Sequence, residues 1–324
     1  MNKNEKIIKE WADDVRTDLG FTKDIKDVVY IWNPGGFVNQ SYFLTDGEVK
    51  RHVKFAESNH ESELRKWSRV SDYLNTYYHA PKLIKEVEEE VIPGFSYGLV
   101  SEYFDGAALK TKQEQGTILT SILENVSQLH QDKDLGNLLE SRDELTYADS
   151  FIDTYITRFR EDLSIIDGHQ YLLSFVTKET YQWFHEEVDR LEKEVKNMKS
   201  FQAIARDVTH NDLSSQNILV NRERFCIIDW DDLSCQGDAA MDYTSLLWPL
   251  AQSKKWEERV SEVAGDKTVE RLSLYFRAKL LDEVIDVLAD YVEAEEMPEV
   301  KEKTQKRAEK IHLQAYRKYR LLYG

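Results

Sequence analysis

The chain has 324 residues, 41% of them apolar, so it can bury a sizeable core and disorder is excluded. Its formal net charge of −17 opposes nucleic acid and anionic membrane as partners, since both recruit basic surface, and suits a cationic small molecule. The two cysteines, Cys226 and Cys235, are too few for a disulfide framework and read as reduced thiols of a cytosolic protein. The N-terminus, MNKNEKIIKEW, interleaves charge with apolar residues where a secretory leader needs a continuous apolar stretch. No apolar run approaches the ~20 residues of a membrane span. The expectation is a soluble, cytoplasmic protein of two lobes.

Helical spacing opens the chain over residues 5–19, with Ile7, Ile8, Trp11 and Val15 in one stripe. Short β signals follow at Val28–Trp32, Gln40–Thr45 and Lys50–Ala56, broken by Asn33-Pro34-Gly35-Gly36 and by the hairpin signal Asp46-Gly47. A helix from about Glu61 to Leu74 carries Trp67, Val70 and Leu74 on one face. Strands are then predicted over Pro81–Glu90 and Tyr97–Phe104. After Asp105-Gly106 helical spacing dominates, as in Ile118, Ile122, Val126 and Leu129. Its one β feature is a hairpin of Ile218–Val220 and Phe225–Ile228 around a polar turn. The pattern from Tyr243 onward is helical, with an acidic stretch (Asp282–Glu299, eight carboxylates and no Lys or Arg) followed by a basic one (Lys301–Arg320).

The strongest chemical signal is His210-Asn211-Asp212-Leu213-Ser214-Ser215-Gln216-Asn217, then the hairpin, then Ile228-Asp229-Trp230-Asp231. A strand advances ~3.3 Å per residue, so a short antiparallel excursion and return brings Asn217 and Asp229 side by side. Two oxygen ligands beside Asp212 suit a hard cation such as Mg²⁺.

H-x-D-x-x-x-x-N, a hairpin and I-D-W-D together resemble the catalytic core of the aminoglycoside phosphotransferase and choline kinase superfamily. The resemblance implies an α+β, protein-kinase-like bilobal fold. Residues 1–104 would form a small antiparallel-sheet N-lobe with one main helix, and 105–324 a larger helical C-lobe carrying the catalytic hairpin. It implies that Asp212 orients an acceptor hydroxyl and accepts its proton, that Asn217 and Asp229 hold Mg²⁺, and that His210 is structural. Gly35-Gly36-Phe37-Val38-Asn39-Gln40-Ser41 resembles the nucleotide-covering loop, which nominates Gly35, Gly36, Asn39 and Ser41. Lys54 sits where the family has its phosphate-contacting lysine. Of two helix carboxylates that could fix it, Glu63 lies on the face of Trp67, Val70 and Leu74, whereas Glu61 projects roughly 160° away.

Ser101–Phe104 resembles the hinge that meets the nucleotide base, which adds Glu102 and Phe104, and Gly237–Asp242 resembles the segment in which Asp242 braces the catalytic loop. The implied reaction is phosphoryl transfer from Mg²⁺-ATP, with GTP also admissible, to a hydroxyl of a small acceptor by a monomer or homodimer. His52, two before the lysine, departs from the small residue usual there and bears on base preference. Asn211 replaces the usual Arg, and eight residues between Asp229 and Asp238 leave no room for a phosphorylated activation segment, which argues against a protein kinase. Two rival functions are a silent nucleotide-binding module and a metal hydrolase. The first should have lost a catalytic group and has not; the second lacks histidine pairs, since His185-Glu186-Glu187 has no second His at helical spacing.

Acidic composition points to a cationic acceptor. On a helix Asp282, Asp286, Asp290 and Glu293 form one acidic stripe, mildly self-repelling unless a cation meets it, either the basic tail or a polyamine-like acceptor. In the aminoglycoside branch C-terminal carboxylates line the acceptor pocket, so Asp286 and Asp290, with Asp231, are candidate acceptor residues.

Overall fold

The structure is a computed structural model and describes residues 2–31, 39–109, 117–139, 144–222, 224–248, 260–296 and 301–324. The chain divides into two compact units, Met1–Ser141 with Val208–Cys235, and Arg142–Asp207 with Gln236–Gly324. The expected division at residue 105 follows chemistry rather than compactness and falls inside the first unit.

The first unit begins with α1 (Lys3–Asp14), whose N-terminal amides are satisfied by a capping box of Asn2 and Glu5. Helical spacing suggested a longer helix, but after Val15 the chain turns, and Gly20 with φ +74° leads it away. The strands β1 (Asp27–Ile31), β2 (Asn39–Thr45), β3 (Lys50–Ala56), β4 (Leu83–Val87) and β5 (Tyr97–Glu102) form an antiparallel sheet in the order β1-β2-β3-β5-β4. In the β2–β3 turn Asp46 accepts from the N–H groups of Glu48 and Val49, while Gly47 takes φ +100°.

Alternation gives the sheet two different faces. Tyr42, Leu44, Val53, Phe55 and Val100 join Ile8 and Ala12 of α1 in one apolar core. The opposite face carries Ser41 and Lys54, which are register partners, and His52, partnered by Phe43 and Ser101. Helix α2 (Glu61–Tyr78) buries Leu64, Trp67, Val70 and Leu74, the stripe its spacing predicts. Further on, β6 (Ala107–Ala108) precedes α3 (Thr117–His130) and α4 (Lys133–Leu139). The hairpin β7 (Ile218–Asn221) and β8 (Arg224–Ile227) pairs with β6.

The second unit is helical. A short α5 (Tyr147–Phe151) continues through a π-helical segment, Ile152–Thr157, into α6 (Arg158–Gly168). Helices α7 (Lys178–Asn197), α8 (Ala239–Leu247), α9 (Asp266–Glu293) and α10 (Lys301–Tyr323) complete it. Leu272, Leu280, Leu281, Val284, Ile285 and Leu288 of α9 are buried, and the basic α10 folds back along that helix, with His312 Nδ1 2.7 Å from the Val284 carbonyl. Asp238 caps α8 and makes an ion pair with the buried Arg271, whose guanidinium lies 3.7 Å from the Tyr147 ring centre. Among the described residues no helix is long and apolar enough to cross a membrane.

Candidate active site

Asp212 and Asn217 are tied together within the first unit. The Asn217 amide donates to the Asp212 carbonyl and to its carboxylate Oδ2, both at 2.8 Å, which leaves its Oδ1 as an acceptor. The Ile228 N–H donates to the Asn217 carbonyl at 2.9 Å, so the hairpin returns the chain beside its starting point, as the spacing predicts. His210 is fully buried and links both strands of the motif. Its Nδ1 accepts from the Asp212 N–H at 3.3 Å, so Nε2 is the protonated nitrogen facing the Ile228 carbonyl at 2.9 Å.

Two residues of the motif have left-handed backbone, Asn211 with φ +65° and Asp229 with φ +68°. Asn and Asp tolerate that region at a cost of about 1–2 kcal/mol. Asn where the kinase family has Arg thus has a local reason, and its side chain also donates to the Asp232 carbonyl at 2.8 Å.

Lys54 meets Asp229 and, at 2.5 Å, Asp231. The lysine side chain is 13% exposed and Asp231 16%. Burial opposes the ammonium charge, but the two carboxylates outweigh it and hold the Lys54 pKa above its usual value. Burial also acts against the Asp229 carboxylate, yet the bonded Lys54 holds it below the ordinary range; for Asp231 burial wins and the pKa rises. Although much of Asp212 is exposed, the protein around its carboxyl and the nearby Asp229 carboxylate raise its pKa. His52, on the same sheet face, is pushed down to about 4 by burial and by the Lys54 charge.

Two expectations change. Asp231, assigned to the acceptor, instead accepts from Lys54 and, at 2.9 Å, from Asn39 Nδ2. Lys54 pairs with neither Glu61 nor Glu63: Glu61 bonds Arg65 at 2.6 Å and Glu63 accepts from the Ser62 hydroxyl at 3.0 Å. Helical periodicity chooses a face but not a reach, and the lysine has two closer carboxylates.

Ser41 lies opposite Lys54 across the β2–β3 pair. Glu102 ends β5, its N–H donating to the Lys82 carbonyl at 2.9 Å, and Phe104 follows half-buried. Glu102 and Phe104 line a 370 Å³ pocket together with His79, Lys82, Phe225 and Cys226. Gly35 and Gly36 lie outside the described residues. Asp242 is fully buried in the first turn of α8, in the second unit.

Among the described residues no group of three or more His, Cys, Asp or Glu could hold a metal ion by itself. Mg²⁺ does not require such a cage, since it keeps several waters and binds through one or two carboxylates plus phosphate oxygens. The donors fit that mode: Asp229, Asp231 and Asn217 Oδ1 all offer oxygen, and among the described residues Asn39 Oδ1 is buried without a hydrogen-bond partner.

In the second unit the carboxylates of Asp286 and Asp290 on α9 act on a residue that periodicity could not reveal, Asp162 of α6. Asp162 is 9% exposed, and among the described residues its Oδ2 has no hydrogen-bond partner. Burial and then the Asp286 carboxylate push its pKa up to about 7, with Asp282 and Asp290 adding to the rise and Arg158 opposing it. Burial, Asp282 and Asp290 raise Asp286 to about 6, against Arg158 and Lys279. Burial raises Asp290 as well, opposed by Arg307 of the basic tail. Asp282 itself is neutralised by Arg158 and by Lys279 at 3.2 Å.

A family model, the phosphotransferase enzyme family (APH), matches residues 33–275. No curated protein matches the sequence. The GDP and kanamycin complex of APH(2″)-IIia is similar with a TM-score of 0.64 at 13% identity, covering 95% of this chain and 99% of that one. Choline kinase LicA from Streptococcus pneumoniae is similar at 0.60 and 18% identity, over 97% of this chain and all (100%) of that one. The streptomycin-ATP-APH(2″)-IIa ternary complex gives 0.58 at 16% identity, over 90% and 91%. The fold is therefore the expected α+β, protein-kinase-like one.

Proposed function

The chain belongs to the phosphotransferase enzyme family, and from that membership we propose that it moves the γ-phosphoryl group of ATP onto a hydroxyl of a small cationic acceptor, such as an aminoglycoside, amino-sugar or amino-alcohol. The observation that carries this reading is the convergence of Lys54, Asp229 and Asp231, with Asp212 held by Asn217, in one compact unit.

In the proposed reaction the acceptor oxygen attacks the γ-phosphorus, the bond to the β-phosphate oxygen breaks, and the nucleoside diphosphate leaves. Asp212 orients the attacking hydroxyl and takes its proton; its raised pKa suits that exchange. Lys54 supplies positive charge to the phosphates, and Asn217, Asp229 and Asp231 supply oxygens for Mg²⁺, which when bound neutralises charge on the transferring group. Asn39, Ser41, Gly35 and Gly36 would cover the phosphates. Glu102 and Phe104 would present hinge backbone to the base, with GTP admissible beside ATP. Glu63 would return to this group only if it approached Lys54 on nucleotide binding. In this scheme residues 1–104 serve the nucleotide and 105–324 the catalytic loop, metal and acceptor. Asp286 and Asp290 are the proposed acceptor carboxylates. A reaction that consumes ATP fits the cytoplasm, as do the free thiols of Cys226 and Cys235, and involves neither nucleic acid nor membrane; the active species is a monomer or homodimer.

A choline- or ethanolamine-type kinase is the second reading, supported by the full-length likeness to a choline kinase. Release of nucleoside diphosphate from Mg²⁺-ATP and Mg²⁺-GTP, measured with and without choline, ethanolamine, amino-sugars and aminoglycosides, tests both. Acceptor-dependent release with a phosphorylated acceptor in the mass spectrum is expected. Binding without turnover would leave a nucleotide module, and acceptor-independent hydrolysis would overturn the kinase reading.

A further inference from the structure

Helix α1 does more than cover the sheet. Glu5 closes the capping box through Oε2, which accepts from the Asn2 N–H at 2.6 Å, and its other oxygen accepts from the Tyr30 N–H at 3.2 Å. Tyr30 belongs to β1, an edge strand, where an outward N–H otherwise meets solvent. The preceding residue reaches the next strand: Asn4 Nδ2 donates to Gln40 Oε1 at 3.3 Å, an oxygen that also accepts from the Tyr42 hydroxyl. Two adjacent residues of α1 therefore hold two strands of the sheet.

Gln40 lies between Asn39 and Ser41, and strand alternation sends it to the opposite face from both. Asn39 donates to Asp231 at 2.9 Å, and Ser41 stands opposite Lys54. Fixing Gln40 from the α1 side therefore fixes where Asn39 and Ser41 stand on the charged side.

We propose that Asn4 and Glu5 are positioning residues for nucleotide binding, acting through Gln40 and Tyr30 on the start of β2. The proposal rests on the phosphotransferase reading above. Its test is the dissociation constant of Mg²⁺-ATP for the full chain, measured by titration calorimetry alongside KM and kcat. Asn4→Ala and Glu5→Ala together should weaken nucleotide binding about fivefold, the effect of roughly 1 kcal/mol, with kcat and the acceptor KM within about twofold. Glu5→Gln keeps one acceptor oxygen for the Tyr30 N–H while giving up the bond from the Asn2 N–H, and should bind nucleotide like the parent. Ile8, Ala12 and Trp11 stay in place in every variant, and Gln40→Ala tests the same link from the strand should the double variant fail to fold. A lower melting temperature with an unchanged nucleotide constant would make the clasp purely structural and overturn the proposal. If the parent chain binds no Mg²⁺-ATP, the phosphotransferase reading falls and takes the proposal with it; if it binds and the variants bind equally, only the proposal falls.

Discussion

Each compact unit gathers a set of several aspartates, and one from each, Asp229 in the first and Asp162 in the second, is shifted in the opposite direction from the other. In the first, Asp229 has the Lys54 ammonium against it and is held below the ordinary carboxylate range. In the second, burial and the Asp286 carboxylate raise Asp162 to about 7, and among the described residues its Oδ2 has no hydrogen-bond partner. The side chains are chemically identical and both are desolvated, so the neighbouring charge decides the protonation state. Lys54 thus holds Asp229 toward its ionised form, and burial with like charge holds Asp162 toward its protonated form.

The largest effect comes from making the first set resemble the second. Lys54→Met removes the cation between Asp229 and Asp231. A pair so broken leaves a buried charge uncompensated, which costs about 3–5 kcal/mol. We expect a lower melting temperature without Mg²⁺ and a loss of turnover of about a thousandfold or more. Asp229→Asn should lose turnover to a similar degree with the fold intact, as circular dichroism would check.

Asp212→Ala should lower kcat by about 10²–10⁴, with a far smaller change in nucleotide affinity. In the parent, the base is active when ionised, so the rate falls as pH falls through the Asp212 pKa. Because that pKa is raised, the acid limb of the kcat profile should lie above the ordinary carboxylate range. A limb at the usual position would remove Asp212 from the role.

The second set is tested first by its ligand. Asp286→Asn with Asp290→Asn should raise the KM of a cationic acceptor roughly tenfold, the value of one charge-assisted hydrogen bond, and leave the nucleotide KM unchanged. Were both constants unmoved, the stripe would be structural.

The smallest effect is on stability against pH. Asp162 and Asp286 are raised in the fold, so the native state binds more protons than the unfolded chain between the ordinary aspartate range and about 7. Their contribution is fully present below the unfolded pKa and is lost as pH rises through the folded one. Asp162→Asn should narrow the gap between melting temperatures at pH 5 and pH 8 by about 3 °C, read by differential scanning. An unchanged gap would mean that Asp162 does not carry the proton.

Much of the first set was legible because its members are close in sequence. Asp212, Asn217 and Asp229 are joined by one hairpin, whose short strands fix the return. Lys54 could be matched only by resemblance, and in the structure it pairs with Asp229 and Asp231 rather than with Glu63, since the face of α2 says nothing about distance. The stripe of Asp286 and Asp290 was legible from spacing on α9, but Asp162 was not. It sits on another helix, more than a hundred residues earlier, among ordinary surface charges in the sequence. Only tertiary packing reveals that it is buried and has like charges for company. The contacts of α1 were hidden for the same reason: its apolar stripe announces packing, and nothing in the spacing marks Asn4 and Glu5 as partners of Gln40 and Tyr30.

The division of the chain has a consequence for synthesis. Every residue of the first unit precedes Gln236, whereas the second unit needs residues up to Gly324. A ribosome therefore finishes the whole Lys54, Asp212, Asp229 and Asp231 assembly while the last stretch of the second unit is still being translated. The span between Ser141 and Val208 is only looped out meanwhile, and closure entropy grows slowly with loop length. Domains emerge and fold as units in the order they are made, so the unit proposed to bind nucleotide has a head start over the helices proposed to receive the acceptor.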